Sequence, residues 1–338
     1  MSQSPKCNKS SKRKPSLGHA REVSIAAVAI LVITAFALFP AYRGSVWSAD
    51  LAAKYGDFVG GYFGTVFLVV SVAIIIVSYR NQKQTNDRTV FESHFFELLR
   101  YHRENTHEIE IEGLKGRRCF VSFIREWRLL LELIIKAESK TKVPLDIPSR
   151  SRLSYLAFFH GSGPNGSRSL KEATKNRYSD ELLDEVLWLM TEDWKIYKKV
   201  FDGKLPGDGH VYEMSWGNFA PRNAPERFRP LAYVPFEGHH SRLAHYFRHL
   251  FHIVDYADSH APGSCPQEYI NLVTAQLTTH EQAVLALHAS SYEGVWRNGN
   301  AIQDFHLIKD LPNEFLRLDE FDVRAAFPDV AYVDSQTN

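Results

Sequence analysis

From Gly238 to Asp255 the chain reads Gly-His-His-Ser-Arg-Leu-Ala-His-Tyr-Phe-Arg-His-Leu-Phe-His-Ile-Val-Asp, its densest run of histidine in a protein that has 15. On a helix turning by about 100° per residue, Arg242, His245, His249, His252 and Tyr256 fall within one arc of about 80°, flanked by Arg248 and Asp255. Leu243, Phe247, Leu250, Phe251, Ile253 and Val254 take the other side. The polar face is therefore built from Arg and His rather than from Lys and Glu. Imidazole exchanges protons near neutral pH, and guanidinium matches phosphoryl oxygens. Three readings compete. A structural face would bond to neighbouring carboxylates and carbonyls. A metal site would use His245 and His249 one turn apart, with His252 on the next turn. That site lacks the glutamate of HExxH, and Arg242 and Arg248 would repel the cation. The third reading is metal-independent RNA cleavage, with Arg242, His245, Arg248 and His249 as the candidate catalytic residues. His would serve as general acid or base, and Arg would stabilise charge developing on phosphorus. No cofactor is implied by any of these residues.

A second motif, Gly161-Ser-Gly-Pro-Asn-Gly166, has GxGxxG spacing. Ser167 and Arg168 stand where a phosphate-binding loop needs Lys followed by Ser or Thr, and Pro164 lacks a backbone donor. No strand–helix–strand context surrounds it, so it reads as a plain loop. Three cysteines, Cys7, Cys119 and Cys265, have no CxxC spacing, which excludes a zinc ribbon or disulfide framework and fits a reducing compartment.

The elements that must position these groups start with two apolar segments. Val23–Tyr42 and Phe58–Tyr79 contain 20 and 22 residues without a charge, each about 30 Å long as a helix and sufficient to cross a bilayer. Residues 1–22 form a basic, disordered tail with Lys6, Lys9, Lys12, Arg13, Lys14 and Arg21; residues 43–57 form a short external loop with only Arg43 and Lys54. Arg80, Lys83, Arg88, Arg100 and Arg103 follow the second segment. The positive-inside rule then predicts a transmembrane hairpin with both termini cytoplasmic. Gly60 and Gly64 allow close helix approach, within the hairpin or in a homo-oligomer.

Residues 80–338 form the predicted cytosolic domain. Of 40 Lys+Arg and 39 Asp+Glu, 8 and 3 precede Arg80, so this domain is near −4 and any nucleic-acid contact is a local patch. Its pattern is mainly α. Helical spacing links Phe91, Phe95, Leu98 and His102, and likewise Phe120, Phe123, Trp127, Leu130, Leu131 and Ile134. Ser179–Phe201 opens with Ser-Asp-Glu, as a helix N-terminus prefers. Thr278 and Glu281 form a capping box before Ala283–Ala289. Gly203–Pro235 reads as a long irregular connection, with a short strand expected at Leu231–Phe236.

Several of these pieces resemble the phage abortive infection family of the C type. They are the paired apolar segments, Phe91-Glu-Ser-His-Phe-Phe-Glu-Leu-Leu99, Gly116-Arg-Arg-Cys-Phe120, His240-Ser-Arg-Leu-Ala-His-Tyr-Phe-Arg-His-Leu-Phe251 and Thr274-Ala-Gln-Leu-Thr-Thr-His-Glu281. Ala244 stands where the family pattern has Gly. The resemblance spans about Val23 to Leu311 and implies an antiviral protein of the bacterial inner membrane that disables an infected cell. It supplies no reaction. Arg242 and His249, separated by six residues, also match the Rx4–6H spacing of HEPN-type ribonucleases. RNA, a phage component and the lipid bilayer are thus the partners in view. The alternatives are a non-enzymatic phage sensor that perturbs the membrane through the hairpin, and a scaffold for a partner effector.

Overall fold

A computed structural model describes residues 49–202, 231, 233–264, 266–291 and 301–333. The basic tail and the apolar segment Val23–Tyr42 lie outside the described residues. The chain divides into two compact units at Val90 and Phe91.

In the first unit, helix α1 (Ala49–Phe58) occupies most of the predicted loop, because Ala49-Asp-Leu-Ala-Ala-Lys54 favours helix and Asp50 suits the first turn. A π-helical turn at Val59–Phe63 leads into α2 (Gly64–Glu108), 45 residues long. No proline or glycine follows Gly64 within α2, so nothing in the sequence stops the helix at Tyr79. Among the described residues, this is the one helix long and apolar enough to cross a membrane, and none of its apolar window is buried.

Among its described residues the second unit is mostly helical, with one two-stranded hairpin and an irregular C-terminal segment. From Phe91 onward, α2 buries Phe91, Phe95, Leu99, His102 and Thr106 along one stripe. Strands β1 (Glu110–Ile111) and β2 (Leu114–Lys115) pair antiparallel, with Glu110 opposite Lys115. Glu112 and Gly113, both at positive φ, close the two-residue turn. Helix α3 (Arg118–Thr141) follows and packs against α4 (Ile147–His160), α6 (Asp180–Phe201) and α9 (Thr279–Ser291). Helix α5 (Pro164–Thr174) lies against α4, and α7 (His240–His260) against α8 (Pro266–Thr274). Helix α9 is an interior element, with Glu281 through His288 all buried. The predicted capping box forms: Thr278 N donates to Glu281 Oε2 at 2.7 Å, and Glu281 N donates to Thr278 Oγ1 at 3.3 Å. Two short helices, α10 (Ala301–Asp304) and α11 (Val323–Ala326), punctuate the C-terminal segment. Arg128 ties that segment to α3, bonding Glu320 at 3.1 Å and the Phe315 carbonyl at 2.7 Å.

Glu126 sets where α7 begins. Its side chain is 0% exposed on the inner face of α3. It accepts from the Tyr233 hydroxyl, from Phe236 N at 2.7 Å and from His239 Nε2 at 2.7 Å. Tyr233 O–H and Phe236 N–H donate to it, as does His239 in the tautomer that carries its proton on Nε2. The strand expected at Leu231–Phe236 is absent among its described residues, because its backbone groups are taken by separate partners, Val234 N by Glu112, Phe236 N by Glu126 and the Phe236 carbonyl by Ser162, rather than by a neighbouring strand.

Glycines bring that segment onto the corner between α4 and α5. Gly161 and Gly238 have φ of +79° and +86°. A Cβ on Gly238 would lie 2.4 Å from the His160 carbonyl oxygen, and one on Gly161 would lie 2.5 Å from Gly238 N. His239 N donates to the Phe159 carbonyl at 3.0 Å, and Ser162 N to the Phe236 carbonyl at 2.8 Å. Gly238→Ala is therefore predicted to destabilise the protein by at least about 2 kcal/mol. Gly163→Ala, where a Cβ meets open space, should stay within about 1 kcal/mol. Denaturant unfolding of the full chain checks both, and equal midpoints for the two variants would contradict the close-approach account.

Candidate functional site

Helix α7 forms where the Arg/His pattern places it, and its inner side is the predicted one. Leu243, Phe247, Leu250, Ile253 and Val254 are buried, joined by Tyr246 and Ala257, while Phe251 is half-buried. The polar arc is not one uniform surface. His245, Arg248, His252 and Asp255 are exposed, whereas Arg242, His249 and Tyr256 are half-buried. The helical angles explain the division: the second group lies on the edge of the arc turned toward α2 and the β hairpin. Tyr256 stacks on Phe91, with ring centroids 5.3 Å apart and planes 4° from parallel. His249 stacks on His102 at 5.9 Å and 8°.

The four candidates thus separate into two pairs. Arg242 donates from Nε to the Glu110 carbonyl at 3.1 Å and from Nη1 to the Gly238 carbonyl at 3.4 Å, so it binds α7 to the hairpin. His249 lies over His102, and its Nδ1 is buried without a hydrogen-bond partner. His245 and Arg248 face solvent, where a large substrate can reach them.

Burial, reinforced by His245 and His252, lowers the pKa of His249. A ring so perturbed is neutral near pH 7 and able to accept a proton. His102 goes further, down to about 4, chiefly through desolvation and then through the charges of His249 and Arg117. His288 falls to about 3 through desolvation. It is a core residue, stacked on Phe247 with centroids 3.9 Å apart and bonded through Nδ1 to the Tyr155 hydroxyl at 2.9 Å.

The glycine motif Gly161–Gly166 takes no phosphate-cradle form. Gly161 ends α4, Gly163 caps α5 with Pro164 in the first turn, and Ser162 spends its backbone N–H and its hydroxyl on the Phe236 carbonyl. For the metal reading, no group of three or more His, Cys, Asp or Glu that could hold an ion occurs among the described residues. His102, Arg117 and Glu126 are the neighbours of this site that sequence reasoning missed. Glu126 carried one signal, a charge on the apolar stripe of Phe123, Trp127 and Leu130. His102 was legible as a buried helix position but not as a partner of His249.

Residues 238–316 match the model of the family described as "Putative phage abortive infection protein". The matched stretch opens at Gly238 and takes in α7, α8, α9 and α10. No curated protein and no solved structure matches the chain.

The depressed histidines make stability depend on pH. Imidazoles of the unfolded chain titrate near 6.5, so between about pH 6.5 and 4 the unfolded state binds protons that His102 and His288 exclude in the fold. Stability is complete above about pH 6.5 and declines as pH falls through that window. Loss at His102 alone amounts to as much as about 3 kcal/mol. Unfolding of His102→Phe across pH 4–7 should show a shallower decline than the wild type. Parallel curves would contradict the assignment.

Proposed function

We propose, from a chain whose residues 238–316 carry the phage abortive infection match, that this is an antiphage defence protein anchored in the bacterial inner membrane and acting on RNA through α7. In the membrane part of this reading, Val23–Tyr42 and Phe58–Tyr79 cross as a hairpin with both termini cytoplasmic. Gly60 and Gly64, around which a Cβ would meet nothing within 4 Å, offer a bare surface to the other span or to a second copy. The apolar, unburied start of α2 supports the anchor.

One observation carries the RNA reading: exposed His245 and Arg248 flank a half-buried His249 whose pKa is depressed. In such a site a neutral imidazole removes the proton from a ribose 2′-hydroxyl, whose oxygen then attacks the adjacent phosphorus. Arg248 stabilises the charge that develops on the phosphoryl oxygens, and a protonated imidazole gives its proton to the departing 5′-oxygen. The products are a 2′,3′-cyclic phosphate and a 5′-hydroxyl end. Arg242, already bonded to two carbonyls, positions the helix.

The exposed pair gives the cleanest test, because surface substitutions away from packed contacts cost little stability. His245→Ala/Arg248→Ala should raise phage plaquing efficiency at least about tenfold at matched membrane abundance. Full protection by that variant would sink the RNA reading. Loss of protection on Gly64→Leu, with α7 intact and RNA undamaged in wild-type cells, would favour the non-enzymatic sensor.

A further inference from the structure

Among the described residues, His102 is the buried side chain with both of its polar atoms left without a partner. It is 3% exposed, and neither Nδ1 nor Nε2 has a hydrogen-bond partner. Buried imidazole nitrogens normally find one, so a fold that leaves both orphaned calls for an explanation. Thr106 gives no help, since its hydroxyl donates to the His102 carbonyl. From α7, Tyr246 lies 4.9 Å away between ring centroids, and His249 stacks at 5.9 Å. His249 Nδ1 and Gln276 Oε1 are also buried without partners.

The charged groups acting on His102 are His249 and Arg117, and neither is acidic. Arg117, just before α3, is 48% exposed. It bonds the Gln276 carbonyl through Nη2 at 2.7 Å and places Nε 3.6 Å from Glu281 Oε2. That carboxylate is itself engaged by Thr278 N and Oγ1, each at 2.7 Å. The acid of this cluster, Glu281, is engaged by Arg117 and Thr278 and lies 3.5 Å from the Tyr246 hydroxyl, which leaves His102 with two basic groups acting on it, His249 and Arg117.

We propose that His102, His249 and Arg117 form a receptor for one phosphate group, with His102 as its floor and Arg117 and His249 as its rim. Each neutral imidazole has one N–H to donate to a phosphoryl oxygen, and the guanidinium adds charge-assisted hydrogen bonds from its fork. Donors from three separate elements suit a tetrahedral anion better than a planar carboxylate. The receptor deepens the RNA reading, on which it rests for the identity of its ligand, by giving the exposed α7 edge a fixed point for the backbone. Two of its three residues lie outside the matched stretch 238–316.

The test uses the purified full chain in detergent micelles at pH 7, with thermal unfolding followed against inorganic phosphate at constant ionic strength and chloride as the control. A saturable rise in Tm with phosphate and none with chloride is expected, lost in His102→Phe, which keeps the ring packing and removes both nitrogens. Arg117→Gln, at a half-exposed position, should weaken phosphate at least about tenfold, and carries the test if His102→Phe fails to fold. AMP and a 2′-deoxy-substituted RNA oligomer separate the sources. Tighter binding of the oligomer assigns the phosphate to a backbone, equal binding to a free nucleotide, and either supports the receptor. Absence of a phosphate-specific shift in the wild type, or an unchanged shift in both variants, overturns it. Phosphate binding alongside full protection by His245→Ala/Arg248→Ala would keep the receptor and dismiss cleavage.

Discussion

A carboxylate sealed inside a helical core must be met by donors, and Glu126 is met by three from a single short stretch of chain. That requirement shapes the second unit. Tyr233, Phe236 and His239 are drawn onto α3, and Phe123 and Phe158 close over the His239 ring at 4.7 and 4.6 Å. Burial beside this carboxylate pushes the Tyr233 hydroxyl well above its ordinary pKa, so it stays protonated and donates. Removing the acceptor would strand buried donors, at about 1–3 kcal/mol for each one left unsatisfied. Helix α7 starts at the very next residue, His240, so its direction and rotation follow from this network and from the glycine contact at Gly161 and Gly238.

Rotation matters because it divides the Arg/His arc. With α7 held in this orientation, Tyr256 and His249 are pressed onto Phe91 and His102 of α2, while His245, Arg248 and His252 remain in solvent. The result is a half-buried imidazole of lowered pKa beside exposed His245 and Arg248, the arrangement on which the proposed RNA reading rests. Helix α2 is a continuous element from Gly64 to Glu108, so the helix with the apolar segment also supplies His102.

Local features were legible in the sequence. The capping box of Thr278 and Glu281, the start of α6 at Asp180 and the apolar side of α7 depend on residues within a few turns of each other, and all form as read. Gly161–Gly166 reads as a plain loop, but its last three residues open α5. What escaped depends on contacts distant in sequence. His249 and His102 meet across 147 positions of chain, and helical periodicity describes each without pairing them. Leu231–Phe236 has strand-forming residues, yet Glu112, Glu126 and Ser162 take its backbone groups. The apolar segment ending at Tyr79 invited a break there, but polar residues without Gly or Pro let the helix run on.

The central claim is that the α7 edge cleaves RNA during infection. Mapping 5′-hydroxyl and 2′,3′-cyclic phosphate ends in RNA from infected cells tests it most directly, comparing wild-type protein with His245→Ala/Arg248→Ala at equal membrane abundance. The account predicts that both kinds of end accumulate with the wild type and stay at background with the variant. Indistinguishable end profiles in cells that the wild type protects would contradict it.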